Sequence, residues 1–394
     1  MGKASLIYVM GFLICFGIFS RNMDRTSLAG TENVVRDYER TQAINIARSG
    51  LDIAVHSLIA DSTWSSISGL SIFEGNCSVD SAGLPDGNIQ LTATASIVDA
   101  THIIRAVLSP PRTRSPLDFA AFGKSSVSMT GSGNKTDSYD SSLGPYGGAN
   151  IGQQGDMGTN GTQADAITLT GSVQVQGDAN TGPGGTVKTT GTAGLSGNTT
   201  DDNSVDFPAP TVPAALSALS SAGVISLSGS STQTLASGDH RFELIKLTAS
   251  SALNIWAPAR IYLTGQGGKS LWTTGSGVIN VLGSGRVEFY CDAEMKVTGC
   301  GVINPGPPAD LWVYGTSLCD DITWAGSSSF SGVVYAPEAD IALSGSGDVF
   351  GSVAGSTINV TGSGRLHRDI ALSGEEVEGA AGGSGTYTLV SLWE

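Results

Sequence analysis

The residues able to carry chemistry are few and scattered. Asp320-Asp321 stands directly before an apolar run that starts at Ile322. Two neighbouring carboxylates can divide into a general acid and a general base. Neither a His-Gly nor an Arg-x-Lys companion accompanies them, so the pair reads as a turn cap before a strand. The four histidines, His56, His102, His240 and His367, form no HExxH-type ligand pair and read as solvated or hydrogen-bonded. Gly267-Gly268-Lys269-Ser270 imitates the end of a phosphate loop. The first glycine of that motif would fall at Leu263, and a strand-like Leu-Trp-Thr-Thr-Gly follows instead of a helix. Asp201-Asp202-Asn203 with Asp206 offers oxygen ligands for calcium, but without EF-hand spacing, and reads as an acidic spacer. Trp256, Trp272, Trp312 and Tyr314 are candidates for stacking on sugars, or for filling a core. The expectation is a protein without catalytic residues, bound metal or cofactor.

Five cysteines remain. Cys15 lies in an apolar N-terminal run. Cys77, Cys291, Cys300 and Cys319 are an even set, which permits disulfides in an oxidising compartment or else buried free thiols. Cys291 and Cys300 can face each other across neighbouring strands, with Cys319 one or two turns further on. No CxxC occurs, which argues against zinc.

The elements that would hold these residues are marked by a repeated phrase: apolar, any, apolar, then usually Ser or Thr, then Gly. It ends at Gly131, Gly171, Gly229, Gly265, Gly283, Gly299, Gly326, Gly345, Gly362 and Gly374. Several gaps between these glycines fall between 16 and 19 residues. Apolar residues at i and i+2 share one face of a strand. The glycine accepts φ > 0 and lets the chain turn. Short strands, sharp turns and a repeat together give a parallel β-helix of stacked rungs. A β-sandwich is the rival fold, and a flexible Gly/Ser linker is credible only for parts of 131–200.

Composition agrees with this. Gly makes up 54 of 394 residues, about twice the usual share. Charged residues are only 14%, and the net charge of −15 excludes nucleic acid as the expected partner.

At the N-terminus, residues 4–20 carry no charge, which is about the minimum length for a membrane span. A cleaved signal peptide is the alternative, but no small-x-small site precedes Arg21. Ile44, Ala47, Leu51, Ala54 and Leu58 then follow at spacings of 3, 4, 3 and 4, a narrow apolar seam on a helix. An unbroken helix over this region would be roughly 85 Å long. Residues 61–75 read as a loop. Asn88–Val98 and Thr101–Leu108 read as two strands with a turn near Asp99-Ala100. Pro110, Pro111 and Pro116 suggest a linker.

The short leader, the apolar helix start, Ala43-x-x-x-Ala47-x-Ser49-Gly50 and Ala54-x-x-x-Leu58 resemble the PilX-like minor pilins of type IV pilus systems. Gly155-Asp-Met-Gly, Gly332-Val-Val-Tyr-Ala-Pro-Glu-Ala, Gly351-Ser-Val and the closing Val390-Ser-Leu-Trp-Glu394 resemble the β-helical regions of the large members. The resemblance implies leader processing after Gly2, a helix half in the membrane, and packing against other pilin-like subunits through the seam. After such a cut the fifth residue is Ile7, where that family usually carries Glu, and Lys3 replaces its usual aromatic first residue.

The resulting expectation is mainly β with a long N-terminal α-helix: a pilin-like helix plus small antiparallel sheet, then a right-handed parallel β-helix. Its parts would be the anchoring helix (1–60), the antiparallel sheet (61–111), a first solenoid block (112–197), a Pro/Asp-rich spacer (198–222), the main β-helix (223–374) and a tail (375–394). The protein would sit in the bacterial cell membrane with its bulk outside, as a structural pilus-related component. The alternative is a tethered protein that binds or cleaves surface polysaccharide.

Overall fold

A computed structural model describes residues 2–61, 64–85, 88–109, 114–375 and 387–393. Two compact units divide the chain: Met1–Arg112 with Ser384–Glu394, and Thr113–Gly383.

The first unit is a helix on a sheet. α1 (Gly2–Ala60) is continuous. β1 (Ser66–Ile72), β2 (Gly75–Gly83), β3 (Ile89–Ile97) and β4 (Ala100–Ser109) form an antiparallel sheet in chain order, and a strand at Thr388–Trp393 adds to β4. The stretch expected to be a loop therefore holds β1, in which a bulge around Gly69, at φ +68, interrupts the alternation of Ile67, Leu70 and Ile72 with serine. The expected C-terminal tail ends in the added strand.

Along β3 every second residue, from Leu91 to Ile97, faces the helix and is buried. Ala43, Ile46, Ala47, Leu51, Ala54 and Leu58 of α1 meet this face. Gly50 permits the close approach, because a Cβ there would collide with Cys77 Sγ. The helix seam is thus not free for another subunit. Ala47, Leu51, Ala54 and Leu58 are consumed in the unit's own core, and Ile44 is only half-buried at its edge.

From Val9 to Tyr38 the helix is exposed and carries Phe12, Leu13, Phe16 and Phe19 on its surface. Among the described residues no helix is long and apolar enough to cross a membrane. The side chains of residues 4–8, the start of the expected span, lie outside the described set, as do linker residues 110–113.

The second unit is a stack of parallel strands in which a strand pairs with the third strand after it. Val224–Leu227 pairs with Leu244–Leu247, Thr232–Leu235 with Ala252–Trp256, and Gly238–Phe242 with Ala259–Leu263. The pattern continues through Lys269–Thr273, Val278–Leu282 and Val287–Cys291. The apolar pairs point inward. Ile245, Leu271, Met295, Ile322, Ile341 and Ile358 occupy successive layers of one core.

The spatial order departs from the chain order. Val349–Gly362 pairs with Ala121–Gly131, and Leu366–Asp369 with Lys135–Tyr139. The block that comes first in sequence therefore extends the last turn, and Val127, Met129, Ile167 and Leu169 join the same core. At one corner Gly299, Gly326, Gly345, Gly362, Gly131, Gly171 and Gly191 stand in register. Gly345 has φ +112, and a Cβ there would collide with the Gly326 carbonyl oxygen.

This order requires a long return. Residues 201–222 carry the chain from the strand at Thr199–Thr200, at one end of the stack, to Val224 at the other. The segment is an ordered strap rather than a loose spacer. Val205, Phe207 and Leu216 are buried with Phe122, Tyr290, Trp312, Tyr314 and Tyr335 on the outside of one sheet. Phe207 meets Phe122 and Tyr335 edge-on, with ring centroids 5.2 and 4.9 Å apart. Tyr335 Oη donates to Pro208 O at 2.9 Å, and Arg241 donates to Ser217 O and Leu219 O.

Candidate functional site

The second unit gathers buried ionisable groups where its two sequence-distant blocks meet. His367 lies opposite Asp137, and Asp369 opposite Tyr139, in the paired strands Leu366–Asp369 and Lys135–Tyr139. Both faces of these strands are covered, partly because the chain after Tyr139 folds back and bridges Ser138 to Gly152.

His367 Nδ1 is 2.5 Å from Asp137 Oδ1, and its Nε2 is 3.7 Å from Asp348 Oδ2. Tyr146 Oη donates to Asp137 Oδ2 at 2.8 Å, and Lys135 Nζ is 3.0 Å from the same oxygen. The rings of Tyr146 and Phe350 flank the imidazole, at 4.0 and 4.8 Å between centroids. Asp369 accepts from the backbone N–H groups of Ser141 and Ala371. Arg368 donates to Ser373 Oγ at 2.7 Å and reaches Asp118 Oδ1 at 3.3 Å.

Burial raises the Asp137 pKa, but hydrogen bonds from His367, Tyr146 and Lys135 more than offset it, and the carboxyl sits below its ordinary value. Burial lowers the Arg368 pKa and raises that of nearby Asp156. His367 Nε2 has no hydrogen-bond partner among the described residues. No hydroxyl or thiol is therefore placed for it to activate, as nucleophilic catalysis would need. What the cluster does is lock two strands separated by 230 residues. Beside it runs an open groove of about 580 Å³, lined by Tyr139, Tyr146, Phe350, Asn304, Pro307 and Ser331.

A family described as a domain of unknown function, DUF7305, matches residues 192–375, less than half of the chain. No curated protein matches the sequence. Among solved structures, the crystal structure of the competence-associated pilin ComZ from Thermus thermophilus is similar at a TM-score of 0.31 and 11% identity. The match covers 90% of this chain and 97% of that one. Likeness at that score does not establish a shared fold.

The residues singled out from sequence are not brought together. Asp321 accepts from Thr323 Oγ1 as its strand begins, and Asp320 is exposed. Among the described residues neither carboxylate forms an ion pair with a His, Lys or Arg. His56 is exposed on α1, and His240 Nε2 lies 2.8 Å from Ala236 O. Among the described residues no three His, Cys, Asp or Glu side chains converge on a metal position. Asn203 of the acidic segment is buried and donates to Thr159 O.

All five cysteines are free thiols. Cys291 has Gly315 as its cross-strand neighbour, not Cys300, which sits in a turn after Gly299. The nearer thiol is Cys319, whose pKa burial pushes up to about 12; burial likewise raises that of Cys291. Cys77 lies on β2 of the other unit.

Trp312 and Tyr314 are under the strap, whereas Trp256 is exposed and Trp272 half-exposed. Sequence reading missed Asp137, Tyr146 and Asp348 as partners of His367. The available signal was a run of ionisable residues, Arg365, His367, Arg368 and Asp369, in a segment otherwise made of Gly, Ser and aliphatic residues.

Proposed function

We propose that this chain is a structural, surface-displayed protein of a pilus-related assembly, and not an enzyme. One observation carries the reading. A single helix buries its second half on a small antiparallel sheet and leaves a first half rich in exposed Phe, Leu and Ile. A surface of that kind is stable only against lipid or other helices. Anchoring through residues 4–20 and leader processing after Gly2 belong to this reading. So does a right-handed parallel β-helix, displayed outside the cell, for the stacked unit. Because the seam is internal, contact with other pilin-like subunits falls to the exposed stretch from Val9 to Tyr38. The His367–Asp137 cluster, which ties together two strands distant in sequence, supports a mechanical role for the stack.

The test compares the full chain with one lacking residues 4–20, both produced in bacteria. The full chain should stay with carbonate-washed membranes, yield to protease added to spheroplasts, and begin at Lys3 by mass spectrometry. A full chain found in the soluble fraction would overturn the reading.

A further inference from the structure

The outward face of one sheet carries a charge pattern unlike the rest of this acidic molecule. Lys246, Trp272 and Lys296 stand in register on three consecutive strands, with side chains on the outer face. Lys269 Nζ lies 4.0 Å from the Trp272 ring centroid, and Lys296 Nζ lies 5.2 Å from it. Three of the chain's seven lysines thus surround one half-exposed indole, in a protein of net charge −15.

The other lysines with described side chains are each neutralised. Lys124 pairs with Glu338, Lys135 with Asp137 and Lys188 with Asp165, at 2.6, 3.0 and 2.7 Å. Among the described residues the three around Trp272 form no ion pair, even though Glu294 stands in register with Lys269. Holding like charges together without carboxylate partners disfavours the free protein and favours an anionic ligand.

The surroundings narrow the ligand. Thr248, Thr274 and Thr298 flank the patch, and Thr323 continues its row. Thr248, Thr298 and Thr323 give their hydroxyl protons to Leu227 O, Thr273 O and Asp321, so their oxygens stand as neutral acceptors for sugar hydroxyls. A nucleic acid carries its charge on a backbone apart from its stacking bases and calls for a basic track beside the aromatic platform, whereas a uronate carries its carboxylate on the stacking ring itself. An indole face takes the apolar face of a pyranose ring. Lys246 and Lys296, two strand spacings or about 9–10 Å apart, take carboxylates on either side of that ring.

We propose that Trp272 with Lys246, Lys269 and Lys296 is a binding subsite for a linear acidic polysaccharide bearing uronate groups. One sugar ring stacks on the indole and displaces the Lys269 ammonium. That ammonium swings on its flexible stem onto the incoming carboxylate. Acids outside the patch do not prevent this, because at physiological salt their field is screened beyond about 8 Å, and Glu294, in register with Lys269, forms no ion pair among the described residues. The site is independent of the pilus-related reading, since it involves neither α1 nor its sheet.

The experiment is affinity electrophoresis of the full chain in gels containing polygalacturonate, dextran or oligo-dT. We expect retardation by polygalacturonate that weakens with salt, and none by dextran. Trp272→Ala should weaken binding at least tenfold without moving the Tm. The Lys246→Gln/Lys296→Gln double variant should weaken it several-fold and flatten the salt dependence, whereas Trp256→Ala should change nothing. No retardation by polygalacturonate, or retardation untouched by both patch variants, would overturn the proposal. Tighter binding to oligo-dT than to polygalacturonate would also overturn it and assign the patch to single-stranded nucleic acid.

Discussion

Asp137 is the residue on which the junction of the stacked unit turns. It receives His367, Tyr146 and Lys135 with no exposure of its own side chain. Asp137→Asn leaves those donors and the Lys135 charge without their carboxylate and should destabilise the protein by about 3 kcal/mol in urea melts. The pH dependence has a definite sign. The folded pKa lies below the ordinary 3.8, so the contribution is present above that value and fades as pH falls through the folded value. Melts below about pH 4 should therefore show a loss in the native protein that is smaller in the variant. Gly345 makes a second test at this scale. Gly345→Ala puts a methyl against the Gly326 carbonyl oxygen at a positive φ and should cost at least about 2 kcal/mol. Gly83→Ala, with open space around it and no positive φ, should leave the Tm nearly unchanged.

At the scale of elements, the strap is as important as the strands it covers. Phe207→Ala should cost about 3 kcal/mol, and limited proteolysis should then cut within 201–222 faster than in the native chain. If cleavage there is unchanged, the strap does not depend on its aromatic anchor. The strands themselves were legible because each needs only two apolar residues and a glycine. Ile322-Thr-Trp and Ile358-Asn-Val declare their inward face without help from elsewhere. The spacing of those glycines misled, however. Gly265 and Gly283 end strands in two different sheets, so the interval between them is only part of a turn. True turns run from 17 residues, Ile341 to Ile358, through 27, Met295 to Ile322, to 40, Val127 to Ile167. The stacking of Val127 on Ile358 has no local signature at all, because parallel pairing is fixed by backbone bonds between segments far apart in sequence. The same blindness hid the partners of His367 and made the strap look like a spacer. For α1 the period of the seam was right. Its user was misjudged, since an apolar stripe does not say whether its own sheet or another chain covers it.

For the whole molecule, two compact units with separate cores should unfold separately. Calorimetry should show two transitions, with Leu58→Ala lowering one by the equivalent of about 2–5 kcal/mol and Phe207→Ala lowering the other; one shared transition shifted by both would refute the division. The proposed role draws on both units. In that proposal the helix with an exposed apolar half would hold the chain in a cell-surface assembly, and the stack would present its outer faces. The most direct test is to shear surface filaments from cells making the full chain and probe them with antibody against Thr113–Gly383. The account expects signal in the filament fraction that disappears when residues 4–20 are deleted. Signal confined to the cytoplasm, or filament signal that survives the deletion, would contradict it.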